Sequence, residues 1–360
     1  MIDFDYVKAR DVSDALSKVA QNPAAKFIAG GTNLIDLMKE NVAHPTTLID
    51  ITGLPLTEIE DTTAGGLRIG ALVPNSDLAY DDRITKRYPF VSSALLAGAS
   101  AQLRNMASTG GNLLQRTRCL YFYDTNTACN KREPGSGCDA IGGFNRMNAI
   151  LGWSETCIAV HPSDLCVALA ALEAIVHVSG SKGDRAIPFA EFHRLPGDTP
   201  QIDTNLARDE IIVAIELPPE GFSSNYSYLK IRDRLSYAFA LVSVAAGLKI
   251  EGGAIRDARV ALGGVAHKPW RVPDAESRLE GEQPSRKTFG DAAAILRASN
   301  ALPDVASVQT TLEGRTLDLG KPGRDRTFGF GLLQAANLCQ PHRDETPVAQ
   351  SATVPGIEVP

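Results

Sequence analysis

The chain has no run approaching the roughly eighteen apolar residues that a membrane-spanning helix requires, so no membrane span is expected. It has no excess of positive charge. The formal net charge is −6, and phosphate recognition needs concentrated Lys and Arg, so nucleic acid is not expected as a partner. Cysteine is sparse, six in 360 residues, too few for a fold built on disulfides. The opening MIDFDYVKARD lacks an apolar core and a cleavage site, so it is not expected to be a signal peptide. The expected location is cytoplasmic, or periplasmic if a signal-bearing partner subunit carries the chain out. A GxGxxG turn after a first strand is absent, as is a Walker sequence. Neither a Rossmann fold nor an ATPase is supported. There is no repeat at solenoid spacing.

What is present fits a soluble globular protein, 44 % hydrophobic and 22 % charged. At 360 residues, two or three domains are expected. Val12–Val19 reads as an amphipathic helix capped by Asp11, and Lys26–Ala29 as a strand. Asn75–Ser100 is helical, capped by Asn75 or Ser76 and divided at Pro89. Asp164–Leu172 is a helix apolar on most faces, started by Pro162 or Ser163. It holds Cys166, which reads as a buried small hydrophobe. Glu210–Leu217 is a strand, and Pro218–Ser224 a boundary. Beyond it, Ser227–Arg232 alternates, Leu248–Ile250 and Ile255–Val265 form a hairpin, and Phe289–Ser299 and Leu302–Thr311 are helical. Pro341–Pro360 reads as a tail. Cys339 is given no role.

Two glycine turns share one physical recipe. Ala29–Leu34 (AGGTNL) joins a strand to a helix start, and Ser108–Asn112 (STGGN) follows a second helical stretch. Glycine lets the backbone approach a ligand closely, and free N–H groups at a helix start face an anion. Either turn alone could be only a turn. Together they could clamp one pyrophosphate.

The second turn runs into four cysteines, Cys119, Cys129, Cys138 and Cys157, with gaps of nine, eight and eighteen residues. Four thiols in one locus suit tetrahedral zinc or a four-thiolate iron–sulfur cluster. The wide gaps are unlike a zinc ribbon and unlike the compact ferredoxin run. The intervening NTACNKREPGSGC is too polar to hold itself by burial and needs a cross-link. Arg116, Arg118, Lys131 and Arg132 would offset thiolate charge. Tyr121, Phe122 and Tyr123 read as packing, and His161 as a surface or capping histidine. On the later strand, Tyr228, Lys230 and Arg232 face one way, and Arg234 reads as solvated.

The stretches KFIAGGTNLIDLMK, STGGNLLQRTRC, HPSDLCVALAAL and YLKIRDRLSYAFA resemble the FAD-binding medium subunit of molybdenum hydroxylases. This is the xanthine dehydrogenase, carbon monoxide dehydrogenase and aldehyde oxidoreductase group, and the resemblance covers about residues 1–320. The cysteine-bearing insert resembles that of the bacterial aldehyde oxidoreductase FAD subunit, which also carries a 4Fe–4S cluster. A similar cluster occurs in the hydroxybenzoyl-CoA reductase medium subunit.

The resemblance implies an α+β fold. A two-lobed FAD domain of the vanillyl-alcohol-oxidase-like (PCMH) type would span 1–220, with the insert at about 115–160. A small domain of the carbon monoxide dehydrogenase flavoprotein C-terminal type would span 225–320, and 321–360 would be an extension. FAD would be held by Ala29, Gly30, Gly31, Thr32, Asn33, Leu34, Ser108, Thr109, Gly110, Gly111 and Asn112. Asp164, Ile211, Ile212, Lys230 and Tyr237 would complete its site. Cys119, Cys129, Cys138 and Cys157 would ligate the cluster.

The implied enzyme is a heterotrimer oxidising aldehydes, with this chain in electron transfer and no acid–base residue of its own. A large subunit would hold molybdenum with molybdopterin cytosine dinucleotide, and a small subunit two 2Fe–2S clusters. Oxygen, ferredoxin or a quinone-like molecule would accept electrons from FAD. The competing readings are a zinc-stapled structural or assembly subunit, a self-contained flavin oxidase, and a medium subunit of the xanthine or hydroxybenzoyl-CoA type.

Overall fold

The computed structural model describes residues 1–299. The expected helix at 302–311, Cys339 and the extension at 321–360 lie outside the described residues. Strands β1 (Asp5–Lys8), β2 (Ala25–Ile28) and β3 (Thr47–Asp50) form a parallel sheet in the order β1-β3-β2. The first crossover contains the helix Val12–Gln21. Asp11 caps it, its carboxylate accepting the Asp14 N–H at 2.8 Å, and Ala15 and Val19 turn inward.

Strands β4 (Ile59–Asp61), β5 (Leu67–Gly70), β6 (Ile175–Gly180), β7 (Gly183–Pro188) and β8 (Glu210–Leu217) make a second, antiparallel sheet. Its order is β4-β5-β8-β6-β7. β9 (Tyr226–Ile231), β10 (Val242–Glu251), β11 (Ala254–Gly263) and β12 (Trp270–Arg271) form a third, ordered β12-β11-β10-β9. The main core packs the helices Pro89–Ala97 and Asp164–Ala171 with β5, β6 and β8, and Ala245 and Ala261 of the third sheet join it. Leu165 through Leu172 are all buried, as an all-round apolar helix requires. The mixed helix-and-strand architecture agrees with the α+β expectation.

The stretch Asn75–Ser100 departs from the expected single division. It breaks at Asp81 as well as at Pro89. Asp81 accepts from the Arg83 backbone N–H and from its guanidinium, and so caps a new helix. Neither Asn75 nor Ser76 caps the first helix; Pro74 stands at that position without a side-chain bond. Ser163, by contrast, caps the core helix by accepting the Cys166 N–H at 3.0 Å.

Between Leu113 and Asp164 regular structure is reduced to two one-turn helices. Polar bonds organise this insert. Arg132 donates to the carbonyls of Tyr121, Phe122 and Thr127, and Asn130 Oδ1 accepts from the backbones of Gly135 and Gly137. The buried Lys131 ammonium reaches the Pro200 carbonyl and the Asp203 carboxylate. Asp203 also pairs with Arg116, so one carboxylate ties the insert to the 193–205 loop. Among the described residues no helix is long and apolar enough to cross a membrane.

Candidate cofactor site

The two glycine turns meet. A Cβ on Gly30 would lie 1.6 Å from the Met106 carbonyl oxygen, so only glycine permits this contact of the first turn with the second segment. Gly31 adopts φ +70°, a conformation that favours glycine. Gly110 packs on Ala71, and the Ser108 hydroxyl accepts the Gly111 N–H at 3.3 Å.

These contacts bound a cavity of about 1380 Å³. Ala29, Gly30, Gly31, Thr32, Asn33 and Leu34 line one side, and Ser108, Gly110, Gly111 and Asn112 another. Asp164, Ile211, Ile212, Lys230 and Tyr237 also face it. Thr109 does not. It is buried, and its hydroxyl donates to the Val73 carbonyl at 2.8 Å. Its hydroxyl thus anchors the turn from behind.

Charge in the walls is arranged in two groups. Deep in one wall, Asp164 accepts from the Tyr228 hydroxyl at 2.6 Å and pairs with Lys230 at 2.8 Å. Burial, and then the Asp164 charge, push the Tyr228 hydroxyl well above its ordinary range. Lys230 and Arg232 both donate to the Ala97 carbonyl, which agrees with their expected common face. On the opposite side Arg118 pairs with Asp36 at 3.1 Å and stacks on Phe239, while Asn33 accepts the Arg116 N–H at 2.8 Å.

Several buried donors here have no protein partner: Asn33 Nδ2, Arg116 Nη2 and Arg118 Nε. Unpaired buried donors are costly. Donors beside two glycine turns suit the phosphate oxygens of a dinucleotide, so the residues present fit FAD. Sequence reasoning had placed Arg116 and Arg118 with the cysteines only, although they lie a few residues beyond the second turn.

Cys119 borders the same cavity. The other three cysteines lie beyond it. Cys129 and Cys138 face each other across an isolated bridge. The charge of Cys119 acts on Cys138, and those of Cys129 and Cys138 act on Cys157, so the four share one locus. Burial pushes the Cys157 thiol up to about 12. Without a metal it stays protonated; a coordinated thiol loses its proton. Phe122 packs with Cys129 in a small apolar cluster, under the Arg116 guanidinium.

Among the described residues no three of these four sulfurs lie within 4.8 Å of one another. The one group of ligand atoms that close together is His161, Cys166 and His193. His161 is thus no surface histidine: its ring lies 4.2 Å from that of His193.

The fold and the cavity define a flavin-binding architecture, and sequence comparison assigns it. Residues 2–220 match the FAD binding domain in molybdopterin dehydrogenase, and residues 226–311 the CO dehydrogenase flavoprotein C-terminal domain. The chain belongs to this family of molybdopterin dehydrogenase FAD-binding subunits. It is 56 % identical over 277 residues to the aldehyde oxidoreductase FAD-binding subunit PaoB of Escherichia coli, covering 77 % of this chain and 86 % of that one. It is 27 % identical over 282 residues to the glyceraldehyde dehydrogenase medium chain of Sulfolobus acidocaldarius, covering 78 % and 82 %. The fold superimposes on a chain of carbon monoxide dehydrogenase from Hydrogenophaga pseudoflava with a TM-score of 0.69, at 23 % identity, covering 94 % and 98 %.

Proposed function

We propose that this chain is the FAD-binding electron-transfer subunit of a molybdenum-dependent aldehyde oxidoreductase. The observation that carries this reading is the cavity formed where the two glycine turns meet, with unpartnered donors on its wall and Cys119 at its edge. The similarity to the aldehyde oxidoreductase subunit supports the substrate class. FAD, when bound, supplies a carrier that takes electrons singly or in pairs.

The chain's own residues do the rest. The Ala29–Leu34 and Ser108–Asn112 turns, with Asn33, Arg116 and Arg118, hold the pyrophosphate. Ile211 and Ile212 supply an apolar wall, and the Asp164–Lys230 pair fixes a cation near the flavin. Tyr237 closes the edge. Cys119, Cys129, Cys138 and Cys157 bind a 4Fe–4S cluster, and Cys119 gives that cluster and the flavin a common wall. Residues 1–220 form the FAD-binding domain, 225–320 the second domain, and 321–360 an extension.

The partners are a large molybdenum-cofactor subunit and a small subunit with two 2Fe–2S clusters, and an external acceptor drains the flavin. The complex resides in the cytoplasm, or in the periplasm if a partner bears the export signal.

The test is anaerobic addition of an aromatic aldehyde to the complex purified with its co-expressed partners. Bleaching of the flavin absorbance within turnover time is expected, with none when this chain is purified alone. Aldehyde turnover by the isolated chain would identify a self-contained flavin oxidase instead. A colourless, flavin-free chain would identify a structural subunit.

A further inference from the structure

Two side-chain donors reach the cysteine sulfurs, one from within the insert and one from far along the chain. His267 stands 110 residues after Cys157, yet its Nε2 lies 3.3 Å from the Cys157 sulfur. Asn148 Nδ2 lies 3.5 Å from the Cys119 sulfur. Both side chains are buried. Backbone N–H groups add to them, from Ala140, Ile141 and Ile158 to Cys138 and from Ala159 to Cys157.

The His267 contact is built rather than incidental. The histidine follows β11, in the segment Gly263–Val265–His267, whose backbone is pinned to the cysteine insert. The Val265 carbonyl accepts from Ile150 and Leu151, at 2.9 and 3.0 Å, and the Ala266 carbonyl accepts from His161 at 3.0 Å. Three backbone hydrogen bonds thus lock the segment after β11 to the insert around this one side chain. Its other nitrogen, Nδ1, has no protein partner. The ring also lines a cavity of about 10 Å³ shared with Gln115, Lys131 and Asp203, room for about one water. A donor placed there would leave the proton on Nε2, facing sulfur.

The direction of the Cys157 bond follows from chemistry. A metal-bound thiolate has no proton to give, so the imidazole N–H donates. Each added electron makes an iron–sulfur cluster more negative, and hydrogen bonds to its sulfurs stabilise that charge. The same bonds contribute less to the oxidised form, in which the sulfurs carry less charge. Removing such a donor therefore lowers the reduction potential.

The geometry points to His267 as a positioning residue that raises the reduction potential of the four-cysteine cluster through its N–H to Cys157, with Asn148 doing the same at Cys119. This rests on the cluster proposed above. It has a consequence for electron flow: a cluster adjoining the flavin cavity exchanges electrons with the flavin only if its potential is not far below the flavin's. The second domain, through one histidine, sets whether the insert is a station for electrons or only a staple.

The test uses the whole complex in a redox titration followed by the electron paramagnetic resonance of the reduced 4Fe–4S centre. Wild type is compared with His267→Leu, His267→Gln and Asn148→Ala. A downward shift of the midpoint is expected in His267→Leu and Asn148→Ala. His267→Gln, which keeps an N–H, restores the wild-type midpoint in whole or in part. An unchanged or raised midpoint in His267→Leu, with the cluster signal intact, overturns the inference while leaving the cluster in place. No 4Fe–4S signal in wild type overturns the cluster itself, and this inference with it. Should His267→Leu lose its cluster, wild type labelled with ¹⁵N-histidine decides. A ¹⁵N hyperfine coupling on the cluster signal supports the bond, and its absence refutes it.

Discussion

Lys230 and Asp164 meet at 2.8 Å in the cavity wall, with side chains only 3 % and 9 % exposed. Asp164 is the first residue of its helix, so its carboxylate also lies where helix N–H groups favour negative charge. The pair joins the core helix to β9, and Tyr228 shares the same carboxylate. Removing one partner from a buried pair strands the other, at a cost of roughly 3–5 kcal/mol. Asp164→Ala is expected to lower stability by that amount in denaturant unfolding. Asp164→Ala combined with Lys230→Met should recover part of the loss. A single variant as stable as wild type would contradict this.

The contact of Gly30 with the Met106 carbonyl predicts a sharp local effect. In Gly30→Ala the two turns must part, since a Cβ has 1.6 Å where van der Waals contact needs far more. FAD affinity is expected to fall at least about tenfold, or about 1.4 kcal/mol, measured by flavin release on dilution. Gly290→Ala is the control. It lies in the helix Arg286–Ala298 with open space around its Cβ. It should stabilise by about 0.5–1 kcal/mol and leave FAD unchanged.

His193 predicts a pH dependence. Burial pushes its pKa from the ordinary 6.5 down to about 4, and Nε2 bonds the Leu113 carbonyl. The folded protein keeps the imidazole neutral while the unfolded chain takes a proton below pH 6.5. The contribution to stability is therefore full above pH 6.5, falls as pH drops towards 4, and levels off below that. Its size is roughly 3 kcal/mol. His193→Gln should show a shallower loss of stability between pH 6.5 and 4 than wild type. Parallel profiles would rule this out.

How much of this could be read from sequence depended on whether a signal was local. The apolar run after Ser163, the strand Glu210–Leu217 and the common face of Tyr228, Lys230 and Arg232 each follow from a short-range period, and the structure has them. The two glycine turns were legible as anion-compatible turns, and their meeting at one cavity extends that reading. The anchoring of the Thr109 hydroxyl on the Val73 carbonyl was not legible, because membership of a turn does not say which way a side chain points. The break at Asp81 was missed because it depends on Arg83 folding back onto its own cap. The pairs Arg118–Asp36 and His267–Cys157 span 82 and 110 residues. No local pattern encodes them.

The central claim is that one chain holds FAD in the glycine-turn cavity and an iron–sulfur cluster on the adjoining cysteines. Its most direct test is flavin and metal quantification on the purified complex, comparing wild type with Cys129→Ser. The account predicts one FAD per copy of this chain in both proteins, and a loss of about four irons per copy in the variant. Zinc in place of that iron, with no flavin bound, would contradict it.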